Sequence, residues 1–189
     1  MTTIYMVRHA ESPYTEGTER TRGLTAEGKK KAQEVTKALM TEGINGIVSS
    51  PYSRAILTLE ELARILKLEI KIYEDLRERQ FAGENVYISD DGFMPALQRS
   101  FSEPDFSLPG GESNKECQLR AVAVLETILE QFKGMNIALG THGNIMTLMM
   151  NYFDSNYGFD FLTQTRKPDI YKLQIENHKL KEVTRLKIM

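Results

Sequence analysis

The 189-residue chain is 41% hydrophobic and 26% charged, and 24 Lys and Arg against 26 Asp and Glu give a formal net charge of −2. That balance excludes disordered, collagenous and low-complexity classes. It also supplies no global positive field for nucleic acid or an anionic membrane surface, so any anion site must be local. The one cysteine, Cys117, can form no internal disulfide and lacks the partners for a cysteine-based zinc site. The length suits a single domain over residues 1–189, since a chain of this size buries roughly 70% of the surface its unfolded form exposes. No apolar run has the length of a signal peptide or a membrane span, so the expectation is a soluble, cytoplasmic protein.

Residues 3–7 form a short apolar run rich in β-formers and predict a buried strand. Residues 10–24 carry Pro13, Gly17 and Gly23 and read as a loop. Thr25 is the expected N-cap of a helix over 26–42, with Ala32, Val35 and Leu39 on one face and Lys29-Lys30-Lys31 solvated opposite. Ile47-Val48 predicts a second strand. Ser53 is expected to cap a helix to residue 66, where Ala55, Ile56, Leu59, Leu62, Ala63 and Leu66 recur at helical spacing. The alternation over 69–73 predicts a third strand. Residues 74–111, with four glycines and three prolines, predict a long irregular stretch with a short helix at 94–101. Such a stretch is usually functional, and its part from about 80 to 110 is the expected lid or substrate loop. A long helix over 112–132, a buried strand over 136–140, a helix over 143–152 and a terminal hairpin around Asn177-His178 complete the pattern. Strands alternating with helices predict an α/β sandwich with a mostly parallel sheet.

Three of these strands finish in unusual residues. The first ends Val7-Arg8-His9, the second leads through Ser50-Pro51 to Arg54, and the fourth ends Gly140-Thr141-His142. Ligands in open α/β sheets bind beyond the carboxyl ends of the strands. If these strands are parallel neighbours, two arginines and two histidines converge there. Arg54 lies in a first helical turn, and His142-Gly143 precede another, so free backbone N–H groups and a partial positive charge add to the set. Guanidinium forks, imidazoles and helix starts together describe a phosphate pocket. A neutral histidine held through one ring nitrogen presents the other as a nucleophile toward phosphorus. A leaving alkoxide needs a proton, and Glu78 in Leu76-Arg77-Glu78-Arg79 is the best-placed acid, with Glu74, Asp75 and Glu84 as competitors.

Arg8-His9-Ala10-Glu11-Ser12 resembles the Arg-His-Gly-Glu signature of the histidine phosphatase (phosphoglycerate mutase-like) superfamily. The resemblance continues through Leu24-Thr25-Ala26-Glu27-Gly28, Ser49 to Ala55, Leu76-Arg77-Glu78, Pro109-Gly110-Gly111-Glu112-Ser113 and Thr141-His142-Gly143. Each block is unspecific alone, and a buried Arg-His pair or a core histidine would be its ordinary structural reading. Their common order and spacing carry the signal. The resemblance implies a three-layer α/β/α sandwich. It implies His9 as the phosphorylated nucleophile, and Arg8, Arg54 and His142 on the phosphoryl oxygens. Glu78 becomes the proton donor and then the base that activates water. No metal and no cofactor are implied.

Some positions depart from the pattern. Ala10 replaces a glycine, and Thr15 stands where an asparagine commonly assists the phosphate. Glu84-Asn85 stand near a missing Trp-Glu-Gly. The longer insertion and paired arginines of the glycolytic mutases are absent. The reading favours a metal-independent phosphatase acting on a small phosphorylated metabolite, without nucleic acid or membrane partners. The site residues are His9, Glu78 and His142 for catalysis and Arg8, Arg54, Thr15 and Gly143 for phosphate. Arg79 is either a substrate contact or a partner of a neighbouring carboxylate. A phosphoglycerate mutase and a catalytically weak phosphate-binding module are the alternatives.

Overall fold

A computed structural model describes residues 1–188. Six strands form one sheet in the order β3-β2-β4-β1-β5-β6. They are β1 (Thr2–Arg8), β2 (Gly46–Ser49), β3 (Ile70–Ile72), β4 (Asn136–Thr141), β5 (Asp169–Glu176) and β6 (Lys179–Leu186). The first four run parallel, while β5 is antiparallel to β1 and β6 to β5. The sheet is thus mostly parallel, with the expected hairpin at one edge. The helices are α1 (Ala26–Leu39), α2 (Ser53–Leu66), α3 (Asp90–Ser102), α4 (Asn114–Gln131), α5 (Gly143–Phe153) and α6 (Phe159–Gln164).

The continuous apolar run of β1 follows from burial on both faces. Ile4 and Met6 face α4 and α5, packing with Leu125, Ile128 and Met149. Tyr5 and Val7 face α1 and α2, packing with Val35, Leu39, Leu59 and Leu62. The result is a three-layer α/β/α arrangement. Among the described residues, no helix is long and apolar enough to cross a membrane.

Local details differ from the sequence reading. Thr25 caps α1 as expected, its Oγ1 accepting from Gly28 N, but the helix ends at Leu39 rather than 42. Ser53 lies inside α2, and the cap position is Tyr52, which makes no side-chain capping bond. The predicted short helix at 94–101 is the longer α3. Ser89 caps it through Gly92 N, and Asp90 and Asp91 favour its first turn. Gly92 and Pro95 argue locally against that helix, and tertiary packing overrides them. The short α6 was not expected.

Candidate active site

The sheet order makes β2, β4 and β1 neighbours, and the register sets Arg8 beside Thr141 and Ser49 beside Gly140. Beyond the strand ends the chains remain hydrogen-bonded, His9 N to Thr141 O and Ser50 N to Gly140 O, each at 2.9 Å. His9, Ser50 and His142 are therefore held side by side where the sheet ends. The rings of His9 and His142 lie 5.2 Å apart.

His9 is buried, and its Nδ1 donates to the carbonyl of Ala10 at 2.7 Å. That bond places the ring proton on Nδ1 and leaves a lone pair on Nε2. Ala10 is anchored in turn, its N donating to Thr58 Oγ1 at 3.0 Å. Arg54 Nε donates to His9 Nε2 at 3.2 Å, although Arg54 is itself almost wholly buried. Burial first, and then the Arg54 charge, push the His9 imidazole well below the ordinary 6.5. His142 is pushed down too, by complete burial and then by His9 and Arg54. Both rings are neutral at neutral pH.

Ser50 Oγ accepts from Tyr52 N at 3.3 Å and meets His142 Nε2 at 2.7 Å. A Ser50 hydroxyl that donates to Nε2 leaves the His142 proton on Nδ1, the tautomer in which that nitrogen can donate to an anion. His142 Nδ1, Arg8 Nε and Arg22 Nη1 are buried and have no hydrogen-bond partner among the described residues. Buried donors of this kind are costly unless a ligand accepts from them, and an anion suits all three.

Arg8 is held by Nη1 to the carbonyl of Thr165 at 3.1 Å and to the Thr165 hydroxyl. A Cβ on Gly143 would stand 2.8 Å from Arg8 Cζ, so glycine there makes room for the guanidinium. Glu78 bridges to the start of α5. Its Oε1 accepts from Arg79 N at 2.8 Å and Ile145 N at 3.0 Å, and its Oε2 from Asn144 N at 3.1 Å. The helix start expected to serve phosphate thus gives two of its N–H groups to Glu78 instead. Arg120 grips the same segment from behind through the carbonyls of Asp75 at 2.6 Å and Arg77 at 2.9 Å.

Arg8, His9, Arg54, Glu78, Arg79 and Gly143 line one cleft of about 1180 Å³. Thr15 lies exposed on the loop above it, where Tyr14 and Thr18 supply the lining. Arg79 is buried in the scaffold, donating to Ser100 Oγ at 2.8 Å, to the Glu112 carbonyl at 2.9 Å and to the Asn114 side chain. It makes no carboxylate ion pair among the described residues; it ties α3 to the start of α4 while still lining the cleft. Its Nη2 is left unpartnered among the described residues.

Sequence reasoning missed Arg22, Glu19 and Lys167. Glu19 bridges Arg22 Nε at 3.0 Å and Arg54 Nη2 at 3.1 Å. Lys167 Nζ donates to Tyr14 OH at 2.8 Å, and Arg22 packs over the same ring. These residues come from loops far apart in sequence without periodicity, and the only cue was a pair of arginines in a polar loop.

The family model for the histidine phosphatase superfamily (branch 1) matches residues 4–185. The chain is 31% identical over 154 residues to phosphoglycerate mutase-like protein 4 of Arabidopsis thaliana, covering 76% of this chain and 67% of that one. It is 30% identical over 156 residues to a probable phosphoglycerate mutase, GpmB, of Salmonella paratyphi B, covering 76% and 70%. The fold matches Bacillus stearothermophilus YhfR with a TM-score of 0.78 at 22% identity, covering 96% and 95% of the two chains. The match to residues 4–185 takes in the ends of β1, β2 and β4 and nearly all of the terminal hairpin, and the chain belongs to the histidine phosphatase superfamily, branch 1.

Proposed function

We propose that this protein is a metal-independent phosphatase that hydrolyses a small phosphomonoester through a phosphohistidine at His9. The observation that carries the reading is the pair of bonds at His9: Nδ1 is fixed on the Ala10 carbonyl, and the Nε2 lone pair faces the Arg54 guanidinium. A neutral, oriented imidazole beside a phosphate-matching fork is the requirement for nucleophilic attack on phosphorus.

In the first step Nε2 attacks phosphorus, the N–P bond forms and the ester P–O bond breaks. Arg8, Arg54 and His142 Nδ1–H stabilise the charge on the phosphoryl oxygens. Glu78 gives a proton to the departing alkoxide; Oε2 has only one N–H bond and room for that proton. In the second step Glu78 takes a proton from water, the water oxygen attacks phosphorus, and the N–P electron pair returns to Nε2. Inorganic phosphate leaves, and both residues regain their starting states. The family membership supports this reading, as does a solved structure of a mycobacterial glucosyl-3-phosphoglycerate phosphatase in complex with inorganic phosphate, similar in fold with a TM-score of 0.76 at 16% identity.

The names of the relatives favour a second reading, a phosphoglycerate mutase. The test is phosphate release from 4-nitrophenyl phosphate with excess chelator, comparing wild type with His9→Ala. Activity that survives the chelator, vanishes in the variant and leaves one acid-labile phosphoryl group on quenched wild-type protein supports the phosphatase. Bisphosphate-stimulated interconversion of 3- and 2-phosphoglycerate, with little phosphate release, would replace it by the mutase.

A further inference from the structure

The cleft has two unlike ends. Arg8, His9, Arg54 and Arg22 form the phosphoryl end, where Glu19 joins Arg22 to Arg54. The far wall is apolar: Phe81, Phe93, Met94 and Leu97 line the same cleft. Phe81 and Phe93 contact each other with ring centroids 4.8 Å apart. Phe93 and Met94 nevertheless keep 43% and 46% of their surface exposed. Large apolar side chains left open beside a catalytic cleft are characteristic of ligand walls.

This wall is held in place. Gly83 N donates to the Pro109 carbonyl at 2.9 Å, and Glu112 N to the Gln80 carbonyl at 2.7 Å, on either side of Phe81. A Cβ on Gly111 would stand 2.4 Å from the Phe81 carbonyl, so only glycine permits that approach. Arg79 supports the wall from behind, its guanidinium over the Phe81 ring at 4.9 Å and its Nη1 on Ser100 of α3. Phe81 and α3, which carries Phe93, Met94 and Leu97, are thus tied to one buried arginine.

Cations near this wall are already engaged. Arg20 pairs with Glu74 at 2.7 Å, Arg77 with Asp75 at 2.7 Å, and Arg79 is held in the scaffold. A compact leaving group bearing a second anion would find apolar side chains there, with Arg20 and Arg77 already on carboxylates and Arg79 bonded into the scaffold. From this juxtaposition of a cationic phosphoryl end and an apolar far wall, we infer that the preferred substrates are phosphomonoesters whose leaving group carries an apolar ring, with Phe81, Phe93, Met94 and Leu97 as its subsite. The inference rests on the phosphatase reading for turnover, but the subsite itself can be read by binding alone.

The experiment compares n-propyl with 3-phenylpropyl ligands, whose alcohols differ little in leaving ability. Calorimetric Kd values for the two phosphonates and kcat/KM for the two phosphates are measured on wild type and on Phe93→Ala/Met94→Ala. Burial of the ring predicts that wild type favours the phenyl ligand by roughly 10- to 100-fold in both series. The double variant, altered at exposed side chains, brings both ratios close to one. Equal wild-type affinities, ratios unmoved by the double variant, or tighter binding of 3-phosphoglycerate than of the phenyl phosphonate would each overturn the subsite. Discrimination between phosphonates without any phosphate release would sustain the subsite and defeat the phosphatase reading; hydrolysis without discrimination would do the reverse.

Discussion

Arg54 reaches His9 through Nε to Nε2 at 3.2 Å, so the lone pair of the unprotonated ring nitrogen accepts from a buried guanidinium. In the proposed mechanism the phosphoryl group enters between them, and the fork is then positioned on oxygens that gain charge as the N–P bond forms. Lysine keeps the charge and loses the fork. Arg54→Lys should lower kcat/KM for 4-nitrophenyl phosphate by about 10²- to 10³-fold, in line with the loss of one preorganised oxyanion donor. A loss below threefold would remove Arg54 from the transition state.

Glu19 places a carboxylate on both Arg22 and Arg54, the position an incoming anion needs. Glu19→Gln retains the shape and removes the competing charge. Inorganic phosphate should then inhibit at roughly 3- to 10-fold lower concentration, the scale of one partly exposed ion pair removed. Weaker inhibition would show instead that Glu19 holds the two arginines in their working geometry.

His9 and His142 resist protonation because burial disfavours their charged forms. Proton NMR titration should place both rings below 6.5, with His9→Gln used for assignment. The sign for stability follows. Above 6.5 the rings are neutral in both folded and unfolded chains and contribute nothing. Below it the unfolded chain takes up protons that the folded one refuses, so both groups weaken folding as pH falls. His178 has the opposite sign, because bonds to Glu126 and then Glu130 raise its value. Its support is complete below 6.5 and is lost as pH rises through the raised folded value. Melting temperature measured across mildly acidic pH should fall less steeply in His142→Asn than in wild type.

Glu78→Gln keeps one acceptor oxygen, enough for the Arg79 and Ile145 N–H groups, loses the acceptor for Asn144 N–H and cannot donate a carboxyl proton. Alkyl phosphates should lose about 10²- to 10⁴-fold in kcat, while aryl phosphates, whose leaving groups need less protonation, lose far less. Equal losses on both would assign the acid role elsewhere, with Glu84 the first position to test because it lines the same cleft.

Arg79→Ala leaves Ser100, Asn114 and the Glu112 carbonyl without their shared donor in a buried setting. Urea unfolding should show a loss of about 2–4 kcal/mol, as for removal of one partner from a buried charged network. Arg79→Lys should recover only part of it, since an ammonium cannot reproduce the three directions of the fork.

The parallel sheet and its layers were legible in the apolar run of β1 and the helical spacing of α2, because burial on both faces or one leaves a direct periodic trace. Arg8, His9, Arg54 and His142 were legible because each interrupts or follows an apolar strand or opens a helix. α3 was only half visible, since Gly92 and Pro95 mask a helix that Ser89, two aspartates and packing sustain. The company these residues keep was decided by tertiary structure alone. Arg79 lines the cleft, but that its Nη1 also ties in Ser100 and Asn114, 21 and 35 positions away, has no trace in local sequence. Arg22 and Lys167 join the cleft only because distant loops fold over the same Tyr14 ring. Periodicity encodes which face of an element is buried; it has no term for two side chains that meet across the ends of different strands.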